Sequence, residues 1–190
     1  MGGRLHRGWL APVVLLALLG FRGAVCAGDM LTERLETRRC VVLFQSMEDL
    51  GEFESNVDYG GGGGFGGLFS SGPKGDDLLD TVSRKLDALY ERVQEILDMR
   101  GQIPKVTLRL YPDREALARV YRGFTGSPEL RVRSWYIYER NTVYINVEDV
   151  HEGMLAHEIA HAIIDHYLTV RPPRATAEIL ARYVDEHLNW

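Results

Sequence analysis

The run from Met154 to His166, M-L-A-H-E-I-A-H-A-I-I-D-H, leaves this chain few ways to fold. Leu155, Ala156, Ile159, Ala160, Ala162, Ile163, Ile164, Tyr167 and Leu168 make a helix here apolar on most sides, so it belongs in the interior of a domain. His157, His161 and Asp165 recur every four residues and form one polar stripe, which is costly in a core without partners. Two imidazoles four apart stand one above the other and can share one metal ion. Glu158 faces the same cleft, where it can take a proton from a metal-bound water of lowered pKa. The H-E-x-x-H spacing therefore encodes a zinc hydrolase on one turn of helix. Asp149 with Glu152 reads as a capping-box variant that places the first turn just before Met154.

Two imidazoles leave the metal shell incomplete. Asp165 continues the stripe but lies about 12 Å along the axis from His157. His166 follows His161 without the glycine turn that brings in a third histidine in H-E-x-x-H-x-x-G-x-x-H chains. A downstream carboxylate is the better candidate. Pro172 and Pro173 end the helix, and Ala175 to Val184 reads as a new one with Thr176 as its N-cap. Glu178, 17 residues after His161, would then sit in the first turn and beside the histidines after an antiparallel return. A glutamate in a first turn also satisfies the helix dipole with no metal involved.

The order H-E-I-A-H, a proline-containing loop and A-E-I-L-A-R-Y resembles the gluzincin metallopeptidases, in particular peptidase MA-like domains and minigluzincins. The likeness runs from about Cys40 onward, and its specific part is the last forty residues. It implies zinc bound by His157, His161 and Glu178, one ion per chain, with Glu158 as the general base. In such families the second-helix glutamate usually opens an E-G-L-A-type run; here Ile179 stands in place of the glycine, and no further lobe follows before Trp190.

The remaining segments predict an α+β fold, a small mixed sheet packed on helices, zincin-like in its two metal-bearing helices. Cys40 to Phe44 is a strand rich in branched residues, with Cys40 a buried core thiol. Ser46 to Tyr59 is polar and acidic. Gly60 to Gly64, Gly66, Gly67 and Gly72-Pro73 read as a flexible loop over 60–75, in which Phe65, Leu68 and Phe69 could cover the cleft or meet a partner. Asp76-Asp77 opens a long helix with Leu78, Val82, Leu86, Leu89, Val93 and Ile96 at helical spacing. Gly101 and Pro104 close it. Val106 to Tyr111 is a strand, Pro112-Asp113 starts a helix through Tyr121, and Gly123 to Pro128 is a loop. Arg131 to Tyr138 and Thr142 to Val147 form a hairpin, either strand of which could be the edge that pairs with an extended substrate.

Before that domain, Arg4, His6 and Arg7 precede an apolar run from Trp9 to Phe21, and Ala24-Val25-Cys26-Ala27 offers small residues at a cleavage position. We read residues 1–27 as a signal peptide, with a retained anchor or lipidation of Cys26 as alternatives, and 28–190 as a single domain exported to the periplasm or beyond. Thirteen apolar residues are too few to span a bilayer, so no stable span is expected after cleavage. Removing Arg4, Arg7 and Arg22 leaves 19 basic against 27 acidic residues, a formal charge of -8 that does not suit nucleic acid or anionic lipid.

These readings converge on a zinc metallopeptidase acting on peptide or protein substrates. Tyr136, Tyr138, Tyr183 and His187 are candidates for holding the oxyanion, and Asp165 and Asp185 for orienting the ligand histidines. A catalytically silent zincin-like binding or assembly protein of the cell envelope and a metal-dependent amidase for cell-wall peptides are the alternatives.

Overall fold

Alternation with period two sets the sheet. In strands β2 (Cys40–Phe44) and β3 (Val106–Tyr111), Cys40, Val42 and Phe44 and then Val106, Leu108 and Leu110 all turn to one buried face. These strands belong to a computed structural model that describes residues 31–58, 75–127 and 133–188. The expected signal segment, the glycine-rich stretch with Phe65, Leu68 and Phe69, and the start of the expected hairpin at Arg131 lie outside the described residues.

The chain runs β1 (Glu33–Glu36), β2, α1 (Met47–Asn56), α2 (Gly75–Leu97), β3, α3 (Arg114–Thr125), β4 (Ser134–Ile137), β5 (Thr142–Asn146), α4 (Glu152–Tyr167) and α5 (Arg174–His187). The fold is mixed α+β, with a five-stranded sheet in the order β1-β2-β3-β5-β4. The inner pairs β2/β3 and β3/β5 are parallel, and the outer pairs β1/β2 and β4/β5 are antiparallel. The β4/β5 hairpin is therefore present, and β4 is its edge strand, while β5 is central. All five residues of β5 are buried, as a strand covered on both faces requires.

On one face Val143 and Ile145 of β5 join the β2 and β3 residues in the main core with α1, α2, α4 and α5. On the other, Tyr144 packs with Tyr111 and with Ala116 and Leu117 of α3. Trp135 stacks on Tyr144 at 4.9 Å between ring centroids, with Tyr121 edge-on to it. Helix α4 lies against α5, α2 and β4. Leu155, Ile159, Ile163 and Ile164 are fully enclosed, each burial stabilising by about 1.5–3 kcal/mol. That packing fixes which way its polar stripe faces.

Four boundaries differ from the sequence expectation. Ser46 to Tyr59, read as polar and acidic with no element assigned, contains α1: Ser46 and Asp49 form a reciprocal capping box, and Leu50 and Phe53 bury one face of the helix. Helix α3 continues past Tyr121 to Thr125 and stops at Gly126, whose φ of 67° closes its last turn. Helix α4 is capped by His151, whose Nδ1 accepts from the Met154 N–H at 3.3 Å; Asp149 instead belongs to a short 3-10 turn, Val147–Asp149. Helix α5 begins at Arg174 behind Pro173, so Thr176 is inside the helix and caps nothing. Among the described residues no helix is long and apolar enough to cross a membrane.

Candidate metal centre

Because α5 starts at Arg174, Glu178 is the fifth residue of the helix and stands in its second turn. A first-turn glutamate would have been explained by the helix dipole alone; this one is not. The antiparallel return carries it to the polar stripe of α4. Glu178 Oε2 lies 3.3 Å from His157 Nε2 and 3.6 Å from His161 Nε2. One donor atom from each of the three falls within 4.8 Å of the others, so the group could hold a metal ion.

The donor set can be tested against a tetrahedral ion. Ligand bonds of about 2.0–2.1 Å to nitrogen and oxygen place two ligand atoms of a tetrahedron about 3.3–3.4 Å apart. The two carboxylate-to-imidazole separations bracket that value. A plain ion pair is the competing account, and it needs a protonated imidazole. Burial lowers the pKa of His161, the neighbouring His157 lowers it further, and Glu178 offsets this only in part. His161 is then neutral at neutral pH, the form that binds metals.

Glu158, the residue after the first histidine, is buried on the side of β4. Its Oε1 accepts a hydrogen bond of 2.7 Å from Ser134 Oγ. Burial raises its carboxyl and the Glu178 charge adds to that, while the Ser134 hydroxyl and the Tyr136 backbone N–H pull it down, leaving it at about 7. A carboxyl poised near neutrality can both take and return a proton.

These residues line a cleft of about 640 Å³. Ser134, Trp135 and Tyr136 of β4 and Tyr121 of α3 form one wall; Arg171, Arg174 and Ala177 contribute to another. Of the four expected oxyanion donors, Tyr136 lines the cleft, and its hydroxyl is within 3.3 Å of Asn141 Oδ1. Tyr138 is stacked on His166 with the Arg171 guanidinium 4.3 Å from its ring centroid, and Tyr183 is stacked on His187; neither tyrosine nor His187 lines the cleft.

Of the two carboxylates expected to orient the ligand histidines, Asp165 lines the same cleft and its charge acts on His161, while its Oδ2 pairs with Arg171 at 3.0 Å and braces the connection between α4 and α5. Asp185 lies against Gly153 at the start of α4, where a β-carbon on Gly153 would come within 2.5 Å of its Oδ1. Gly153 is thus what lets α5 approach the N-terminal turn of α4.

Sequence reasoning missed Ser134, Arg171 and Arg174. Ser134 shares a strand face with Tyr136, two residues on, which was a candidate for the oxyanion. Compared with known proteins, the chain matches no family model, no curated protein and no solved structure.

Proposed function

We propose that this chain is a zinc-dependent peptidase of the gluzincin kind. The observation that carries this reading is the meeting of His157, His161 and Glu178 beside a buried carboxylate that has one side-chain hydrogen bond among the described residues, inside a cleft bordered by an edge strand. His157, His161 and Glu178 would hold the zinc. When bound, the ion lowers the pKa of a water molecule and polarises a peptide carbonyl. Glu158 takes the proton of the attacking water and later returns it to the leaving amine. Ser134 donates to Oε1 and so holds the Glu158 carboxylate in place at the wall of the cleft. Among the described residues no strand pairs with the outer edge of β4, whose main-chain groups would suit an extended peptide and favour peptide substrates with little regard to sequence. A purely structural zinc site has no use for a buried base next to its ligands, which weighs against a silent binding protein.

Metal analysis of the purified chain, paired with peptide hydrolysis with and without chelator, tests the reading. About one zinc per chain is expected. Glu158→Gln should keep the metal and lose activity by a factor of about 10³ or more. Glu178→Ala should lose most of the zinc, with circular dichroism unchanged. Wild-type activity in Glu158→Gln would reject catalysis by that residue, and full zinc content in Glu178→Ala would move the third ligand elsewhere.

A further inference from the structure

We propose that Arg174 makes the cleft select peptides that carry a carboxylate close to the bond to be cut, a reading that rests on the peptidase function above. The chain as a whole is acidic, at a formal charge of -5, yet two guanidinium groups line the wall of this cleft formed by the α4–α5 connection. They differ in how they are engaged. Arg171 is committed: Asp165 takes its Nη2 at 3.0 Å, and its guanidinium lies 4.3 Å from the Tyr138 ring centroid. Arg174 makes no ion pair or side-chain hydrogen bond among the described residues, and it is exposed.

Its position does not serve the helix either. Arg174 is the first residue of α5, where the helix dipole disfavours a cation, and no acidic residue in the first turn offsets it. It stands one turn before Glu178, so an anion paired with it lies beside the proposed metal ligands. The nearby carboxylates do not compete for it: Glu178 faces the two imidazoles, Asp165 holds Arg171, and Glu158 is turned toward β4. A guanidinium with no counter-ion at the rim of a reaction cleft is matched by a carboxylate on the substrate, which it can grip with two parallel N–H donors. That carboxylate can be the C-terminus of a peptide or an aspartate or glutamate side chain.

The test uses zinc-loaded full chain and a set of synthetic octapeptides, identical except that one glutamate or its glutamine counterpart is stepped along the sequence, each made with a free and an amidated C-terminus. The wild type should cleave the carboxylate member of a pair about three- to tenfold faster than the neutral one. Dependence on amidation assigns the anion to the chain end, and dependence on one glutamate position assigns it to a side chain. In Arg174→Ala that ratio should fall to about one, in Arg174→Glu it should invert, and in Arg119→Ala, on α3 and paired with Glu115, it should stay. Equal cleavage of all pairs by the wild type, or a preference that Arg174→Ala retains, overturns the proposal.

Calorimetric binding of the same peptides to zinc-loaded Glu158→Gln, with and without Arg174→Ala, separates this from the peptidase reading. A carboxylate can also ligate zinc, so the comparison between the two chains isolates Arg174. If no peptide is hydrolysed, three- to tenfold tighter binding of the carboxylate peptides that disappears with Arg174 still upholds the proposal, and equal binding by both chains overturns it.

Discussion

Two buried carboxylates, Asp87 and Glu158, are enclosed to nearly the same degree, with 6% and 8% of their surface exposed. Their surroundings differ. Asp87, on α2, accepts from Thr37 Oγ1 at 2.8 Å, from the Arg38 and Arg39 backbone N–H groups at 3.2 and 3.0 Å, and from Arg38 Nε at 3.2 Å. It ties the β1–β2 turn to the long helix, and its charge is met on every side. Glu158 has the Ser134 hydroxyl and one strand amide, faces a second carboxylate, and sits near neutrality at about 7. Burial by itself therefore does not mark a functional acid. Burial with an incomplete set of donors does, because the charged form is then held at a cost that only a substrate, a proton or a metal relieves.

The largest effect expected from this contrast is at Asp87. Asp87→Ala takes the acceptor from the buried Thr37 hydroxyl and from the part-buried Arg38 N–H, and leaves the Arg39 N–H with Thr37 Oγ1 alone, and should lower stability by about 2–4 kcal/mol in chemical denaturation. A loss below about 1 kcal/mol would show that Asp87 is no more than a surface carboxylate in energetic terms.

Glu158 should behave in the opposite sense. Its folded pKa of about 7 lies above the ordinary value of 4.5, so between those two pH values the folded chain keeps a proton that the unfolded chain has released. Stability of the metal-free protein should fall as pH rises through that window, with the full penalty present above about pH 7. Glu158→Gln removes the penalty. Metal-free Glu158→Gln should be more stable than wild type by about 1–3 kcal/mol at pH 8, and no different below about pH 4.5. Denaturation curves of both chains from pH 4 to 8 check this, and a variant less stable than wild type at pH 8 would break the comparison between the two carboxylates.

The parts of this molecule that were legible in the sequence are those where one local signal dominates. The polar stripe in an apolar helix announced α4, alternation announced β3, a short run of branched residues announced β2, and the spacing from His161 to Glu178 announced the approach of that carboxylate to the two imidazoles. What escaped depends on tertiary context. Strand β1 is E-R-L-E, three charged residues in four, and is a strand because β2 gives it a ladder; its charges suit an exposed edge. Helix α1 carries Gly51 and only a thin apolar face, and Lys85 of α2 secures its C-terminal end by donating to the Glu54 and Val57 carbonyls at 3.0 Å each. The N-cap of α4 was misplaced because Asn146 and Asp149, good capping residues, are taken up by their own 3-10 turn, leaving His151 to do it. Ser134 carries no signal of its own: a serine opening a strand gains meaning only once Glu158 is placed against it.

That hydroxyl gives the smallest expected effect and the finest test of the contrast. Ser134 Oγ stabilises the charged form of Glu158, so removing it should push the carboxyl further up and widen the pH window in which the folded chain holds the extra proton. A hydrogen bond to a charged acceptor contributes about 1–3 kcal/mol, and a partly exposed cleft admits water that recovers some of it. Metal-free Ser134→Ala should then lose about 1 kcal/mol relative to wild type at pH 8 and close to nothing at pH 5, where Glu158 is protonated in both folded chains. In Glu158→Gln the same Ser134→Ala change should lose its dependence on pH, since no charge remains for the hydroxyl to favour. An equal loss at both pH values in the wild-type background would mean that Ser134 packs rather than tunes, and that the low donor count around Glu158 has no bearing on its proton.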